Sequence, residues 1–253
     1  MIYNFSRCYL CKKKVKNSIK ILCESCFSIA QKRECLFCMR CGKMNCLGCE
    51  DLFEFSRVMS FYKYCPEFSK ILVLAKDNND CNAQKLFYEL FYNPIKNFLQ
   101  NYIFENKIEY VVLSPLRKER ILNSGWHTNI FFQHILESIT ENLKNKNFLI
   151  YIYYPHILGS SKKNAIKSKL ERRYNYSNLI EQKISWHCAN GNKKLIWDNN
   201  KNLLLLDDVL TTGRTARQLI NSIQQVNNNN LWSLFTIFRS PQKEDENLLK
   251  NNS

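Results

Sequence analysis

Residues Leu203 to Thr215, LLLLDDVLTTGRT, constrain the fold of this chain more than any other segment. Four consecutive leucines make a strand that is apolar on both faces, which predicts a central parallel strand covered by helices. Asp207 and Asp208 follow where that strand leaves the core, at the carboxyl edge where open α/β sheets bind ligands. The chain then reads Thr211-Thr212-Gly213-Arg214-Thr215 and enters a helical run marked by Ala216, Leu219, Ile220 and Ile223. Glycine at 213 permits a tight turn, and the first amides of the helix offer unpaired N–H groups to a phosphate. Carboxylates beside a phosphate cradle suit a sugar phosphate: the acids take ribose hydroxyls, while amides and threonine hydroxyls take the phosphate. The structural alternative is an acidic, well-capped turn, which is disfavoured because adjacent carboxylates repel.

Other phosphate loops are excluded. The 6 glycines never fall in the G-x-G-x-x-G or G-x-x-x-x-G-K-[ST] spacing, so neither a dinucleotide fingerprint nor a Walker loop is present. The segment resembles the phosphoribosyl pyrophosphate (PRPP) signature of type I phosphoribosyltransferases.

The first 49 residues hold nine of the 12 cysteines. Cys8-x-x-Cys11 and Cys23-x-x-Cys26 form two knuckles separated by eleven residues, the ligand set of a tetrahedral Cys₄ zinc site. Cys38-x-x-Cys41 and Cys46-x-x-Cys49 supply a second set, so two structural zinc ions are expected. Cys35-x-x-Cys38-x-x-Cys41 with Cys46 keeps an iron–sulfur alternative open, although Leu47 stands where that motif has proline. Cys35 has no place in the two-zinc scheme. A head of this size is too small for its own apolar core and needs metal to fold.

At 253 residues the chain has room for one good core and this small head, with the boundary expected at 52/53: a zinc-ribbon-like domain over 1–52 and an α/β domain over 53–253. The net charge of +15 favours anionic partners, whether nucleic acid or a polyphosphate. The opening MIYNFSRCYLCKKK lacks a signal-type apolar segment, and no stretch is apolar enough to span a bilayer. A cytoplasmic protein without membrane insertion is expected, its cysteines reduced unless metal-bound.

Beyond Phe53 strands and helices alternate, which predicts a mainly parallel sheet flanked by helices. Strands are expected near 58–64, 110–113, 148–153, 203–206 and 232–238. Helices are expected near 66–75, 83–104 with a break at Pro94, and 126–143. Lys162 to Arg173 form a basic stretch followed by Tyr174 and Tyr176, with a lid or a solvated loop as the two readings.

Three further blocks, FYKYCPEFSKILVLAK (61–76), VVLSPLRKERILNSGWHTN (111–129) and LERRYNYSNL (170–179), accompany the cysteine head and the PRPP signature. In this order the chain is similar to the ComF (competence protein F) family of phosphoribosyltransferase-like proteins along nearly its whole length. The resemblance implies a type I phosphoribosyltransferase fold with a hood, plus the zinc head. It implies that Asp207 and Asp208 bind ribose hydroxyls and act in catalysis. By the same resemblance Thr211, Thr212, Gly213, Arg214 and Thr215 hold the 5′-phosphate, and Arg117 and Lys118, after Ser114, take the pyrophosphate. Arg172 and Asn175 match a hood motif. Mg²⁺ enters on PRPP oxygens and water. The implied activity is transfer of phosphoribosyl from PRPP to an unknown acceptor, linked to DNA uptake. The alternative is a non-catalytic competence factor that senses PRPP or a nucleotide, or binds single-stranded DNA or DNA-processing proteins.

Two departures qualify the match. The family's R-G-F-N-Q block is Ser124-Gly125-Trp126-His127-Thr128 here, which removes a guanidinium and an amide. Thr211 stands where purine-salvage relatives carry an acid, so protonation of a 6-oxopurine is disfavoured.

Overall fold

The computed structural model describes residues 7–15, 22–31, 55–117, 125–144, 151–157, 184–188, 200–224 and 229–240. Helix α1 (Glu24–Gln31) begins inside the second cysteine knuckle, with Cys23 just before it and Cys26 in its first turn, both packed against the core. The α/β unit follows as β1 (Arg57–Lys63), α2 (Pro66–Lys76), α3 (Cys81–Glu105), β2 (Tyr110–Leu113) and β3 (Leu116–Arg117). It continues with α4 (Thr128–Lys144), β4 (Tyr151–Ile157), β5 (Ile184–Cys188), β6 (Asn202–Leu210), α5 (Arg214–Gln224) and β7 (Leu231–Arg239).

The strands form one seven-stranded sheet, β1-β7-β6-β2-β4-β3, parallel throughout, with β5 added antiparallel on β4. The expected architecture is therefore the one found: a mainly parallel sheet between helices. The four leucines sit in the middle of it, with Leu203 to Leu206 pairing β2 on one side and β7 on the other. Their side chains alternate between two cores. Leu204 and Leu206 pack with Val111, Leu113 and the buried faces of α2, α3 and α4. Leu203 and Leu205 pack with Tyr110, Val112 and with Ala216, Leu219 and Ile220 of α5. Helices α4 and α5, which follow the neighbouring strands β2 and β6, thus lie on opposite faces of the sheet.

The larger core is aromatic. Phe87 meets Phe91 at 4.8 Å and Phe131 at 4.9 Å between ring centroids, edge to face in both cases. Such contacts contribute about 0.5–1.5 kcal/mol each beyond area burial. That core also explains a correction. The break expected at Pro94 does not occur, because α3 runs unbroken from Cys81 to Glu105 with Pro94 inside it. Proline in a helix interior costs about 3 kcal/mol. Leu86, Phe87, Leu90 and Phe91 before it and Ile95, Leu99 and Ile103 after it are all buried in the same core, which holds the two halves in line.

Strands β3 and β5 and helix α1 carry no clear periodic signal and were not expected. The boundary near 52, Cys35, Cys38, Cys41, Cys46, Cys49, Lys118 and the hood residues Arg172 and Asn175 lie outside the described residues. Among the described residues no helix is long and apolar enough to cross a membrane.

Candidate functional site

Strand order fixes where a ligand can enter. From β2 the chain moves outward through α4 to β4, then returns past β2 to β6 and moves outward the other way through α5 to β7. The gap between the carboxyl ends of β2 and β6 is therefore the topological switch point, the crevice that ligands of open α/β sheets use. Pairing with β2 stops at Leu113–Leu206, while β6 continues beside β7 to Leu210. Asp207 and Asp208 thus lie within β6 rather than beyond it, on the stretch that β2 no longer covers.

The two acids have different surroundings. Asp208 accepts from three donors: its Oδ2 takes the Lys76 ammonium and, at 2.9 Å, the Thr128 hydroxyl, and its Oδ1 takes the Val209 amide at 2.8 Å. Lys76 is the last residue of α2 and Thr128 the first of α4, so both helices converge on this carboxylate. Burial works against its charge, but Lys76, Thr128 and Val209 hold Asp208 below the usual carboxylate range. Asp207 accepts from the Asp208 amide at 2.9 Å and is also hydrogen-bonded by the Ser114 side chain. Burial, then repulsion from Asp208, pushes its carboxyl up to about 7. One acid is a fixed anion and the other titrates near neutrality.

The opposite wall is the β2–β3 edge. Val112 pairs with Tyr153 and Leu116 with His156, so four steps on one strand match three on the other. The extra residue falls at Ser114-Pro115, a bulge of the kind that re-aims backbone beside a site. The Ser114 amide is anchored on the Leu206 carbonyl at 2.8 Å. Arg117 lies in β3, directly after this bulge.

Below the acids, Thr211 and Thr212 are exposed and Gly213 is buried with φ +68°. Gly213 is needed here, since that backbone conformation disfavours a Cβ. Its carbonyl accepts the Arg217 amide at 2.9 Å and so opens α5, while Arg214 and Thr215 form the first turn. The amides of this turn face no helical carbonyl of their own.

Three residues of this surround were not assigned a role from sequence: Lys76, Thr128 and Arg239. Lys76 had a readable signal. The buried face of α2 is Phe68, Ile71, Leu72 and Ala75, and position 76 is four residues on from Leu72, in phase with that stripe. Arg239 ends the buried strand β7 and is itself only 3 % exposed. Its Nη1 donates to the carbonyls of Leu210, at 2.9 Å, and Thr211, the two residues that lead into the turn. Arg239→Met leaves those carbonyls without this donor. The expected loss is about 2–3 kcal/mol of stability, with faster hydrogen exchange at the amides of 211–213. Chemical denaturation followed by exchange mass spectrometry checks it.

A second cluster lies at the cysteine knuckles. The sulfurs of Cys8, Cys11, Cys23 and Cys26 are all within 4.8 Å of one another. Cys11 and Cys23 stand 3.7 Å apart, close to the ~3.8 Å between ligands of a tetrahedral zinc with Zn–S of about 2.3 Å. The donor set therefore fits one zinc ion. Burial raises the Cys8 thiol, but hydrogen bonds from the backbone of Cys23, Cys11 and Leu10 outweigh it and bring the group down to about 6, toward the thiolate a metal needs. The knuckles are not isolated. Cys8 and Leu22 belong to the aromatic core, and the Tyr9 hydroxyl donates to Asp80 at 2.7 Å.

No family model and no curated protein matches the chain. Among solved structures it is similar to a hypoxanthine phosphoribosyltransferase from Staphylococcus aureus, with 14% identity over 59% of this chain and a TM-score of 0.32. The chain spans 64% of that protein's length. An adenine phosphoribosyltransferase gives 11% identity over 66% of this chain and 76% of its own, with a TM-score of 0.34. Adenine phosphoribosyltransferase from Saccharomyces cerevisiae, complexed with an imino-altritol bisphosphate and adenine, gives 13% identity over 64% and 73%, with a TM-score of 0.30. Similarity this loose leaves function to be argued from the residues.

Proposed function

We propose that the chain binds PRPP with Mg²⁺ and is a phosphoribosyltransferase-like protein of the ComF type, passing phosphoribosyl to an acceptor with release of pyrophosphate. The observation that supports this is the acidic pair at the switch point, followed within a few residues by a glycine-led helix start. Asp207 and Asp208 accept hydrogen bonds from the ribose 2′ and 3′ hydroxyls. The Thr211–Thr215 turn takes the 5′-phosphate on its free amides and hydroxyls. The Ser114-Pro115 bulge, with Arg117 and Lys118 after it, takes the pyrophosphate. Ribose C1 then lies between the two walls, open to an acceptor. Positive charge develops on the sugar as the bond to pyrophosphate lengthens, and the nearby carboxylates stabilise it.

With Asp208 already engaged by Lys76, Thr128 and the Val209 amide, the site suits a magnesium ion that would arrive on phosphate oxygens and water rather than on the carboxylates. When bound, that ion supplies charge neutralisation on the leaving pyrophosphate. Thr211 cannot protonate a purine ring, so a 6-oxopurine is not the expected acceptor.

Calorimetry with PRPP and Mg²⁺ tests the first step. Binding at or below millimolar PRPP is expected, weakened at least about 30-fold in Asp207→Asn/Asp208→Asn through loss of charged acceptors. Absence of wild-type binding, or equal binding by the double variant, rejects the proposal.

The net charge of +15 supports a second role, contact with single-stranded DNA in uptake or processing. A steep fall of affinity with salt is the expected signature, since phosphate contacts release counterions. A flat slope leaves protein partners instead.

A further inference from the structure

Lys76 has a bland explanation: a cation in the last turn of a helix is favoured by the helix dipole. Its side chain does more than that. It turns inward onto Asp208 and is 17% exposed, against 16% for Asp208. With Thr128 on the same oxygen and the Val209 amide on the other, Asp208 has donors from α2, α4 and its own strand.

Two adjacent carboxylates at a crevice are otherwise an obvious place for a divalent cation. Such an ion binds bare carboxylate oxygens at about 2.0–2.6 Å and needs more than one negative charge nearby. Here an ammonium already stands on one of them. A hydroxyl asks for less. It needs only a spare lone pair: each carboxylate offers about four acceptor sites, and Lys76, Thr128 and the Val209 amide take three of those on Asp208, so Oδ1 can still accept an alcohol.

We propose that Lys76 sets the specificity of this site: by neutralising Asp208 it reserves the acidic pair for the hydroxyls of an anionic sugar phosphate and keeps a free divalent cation out. This rests on the PRPP reading for its sugar-phosphate half, whereas the exclusion of cations stands apart from it. Burial of Asp207, which favours its neutral form near pH 7, acts in the same direction by lowering the charge of the pair. The ammonium also attracts the polyanionic ligand, so its removal weakens sugar-phosphate binding while opening the pair to metal.

The test uses the zinc-loaded full chain as wild type, Lys76→Met and Lys76→Arg, with folding checked by circular dichroism. Mn²⁺ binding without PRPP is followed by electron paramagnetic resonance. Wild type and Lys76→Arg are expected to leave Mn²⁺ free at about 1 mM, and Lys76→Met to bind it at least tenfold more tightly. Adding Asp208→Asn to Lys76→Met is expected to abolish that gain. PRPP affinity, by calorimetry in Mg²⁺, is expected to fall about tenfold in Lys76→Met and to stay within about threefold in Lys76→Arg. Mere structural damage would weaken PRPP binding without creating a metal site. Lys76→Met that gains no Mn²⁺ affinity, or wild type that already binds Mn²⁺ at the pair, overturns the proposal. Failure of wild type to bind PRPP overturns the PRPP reading and leaves the manganese result to decide the role of Lys76.

Discussion

Replacing Cys8 and Cys11 by serine is expected to remove one equivalent of zinc and to lower the melting temperature of the whole chain by about 10 °C. A peripheral finger would fall away with little effect on the rest, but these knuckles are built into the fold. Cys8 and Leu22 are buried in the same core as α2, α3 and α4, and Tyr9, Leu10 and Val15 pack against it. The Tyr9 hydroxyl donates to Asp80, whose other carboxylate oxygen caps α3 by accepting the Asn82 and Ala83 amides at 2.8 and 3.1 Å. N-caps of this type contribute about 1 kcal/mol, and a hydrogen bond to a charged partner about 1.5–3. Together with the core residues, losses on the order of 3 kcal/mol are reasonable, and each kcal/mol shifts a domain of this size by about 2–4 °C.

The same contact reaches toward the crevice. Asp80 closes the turn that begins directly after Lys76, and in that turn the Asn79 amide group stands 3.4 Å from where a Cβ on Gly125 would sit, at the entry to α4. Tyr9→Phe should therefore keep its zinc, lose about 1–2 kcal/mol, and speed hydrogen exchange across 77–83. Metal analysis, calorimetric melting and exchange mass spectrometry separate these effects. Full retention of the melting temperature in the cysteine variant would show that the knuckles do not brace the fold.

Legibility in the sequence followed periodicity and spacing. The run Leu203–Leu206 is apolar at every position and is followed at once by acids and a glycine turn, a pattern suited to a central strand covered on both sides, so its place in the sheet was readable. Cys8, Cys11, Cys23 and Cys26 were readable because a two-residue gap is dictated by one ion. Pro94 misled because local propensity lost to a buried face extending on both sides of it. The phase of α2 turns Lys76 toward the buried side, but its partner, like those of Thr128 and Arg239, lies 132, 80 and about 28 positions away respectively, which no local pattern encodes. The bulge at Ser114-Pro115 is visible only as a mismatch of register with β4, a strand that lies some 40 residues away.

Asp207→Asn and Asp208→Asn are expected to move stability in opposite directions, with different pH profiles. For Asp207 the folded carboxyl titrates near 7 and the unfolded one near 3.8. Between those values the native state binds more protons than the unfolded state, so this group's contribution becomes less favourable as pH rises through the window. Removing the charge should therefore stabilise the protein at pH 8, by on the order of 2 kcal/mol after allowance for partial solvent access, and change nothing near pH 3.5. For Asp208 the folded carboxyl lies below its unfolded value, chiefly because Lys76 is beside it. Its stabilisation is present above about pH 4 and is lost as pH falls through the folded value. Asp208→Asn should then destabilise at pH 7 by about 1–3 kcal/mol, because Lys76 is left partly buried without its counter-charge, and the difference should vanish in acid. Melting of both variants across pH 3–8 checks the signs. If Asp207→Asn also destabilises at pH 8, burial and repulsion from Asp208 do not raise the Asp207 carboxyl as described. The stabilised variant should be the poorer ligand binder, since the charge removed is one that the crevice keeps at the expense of stability.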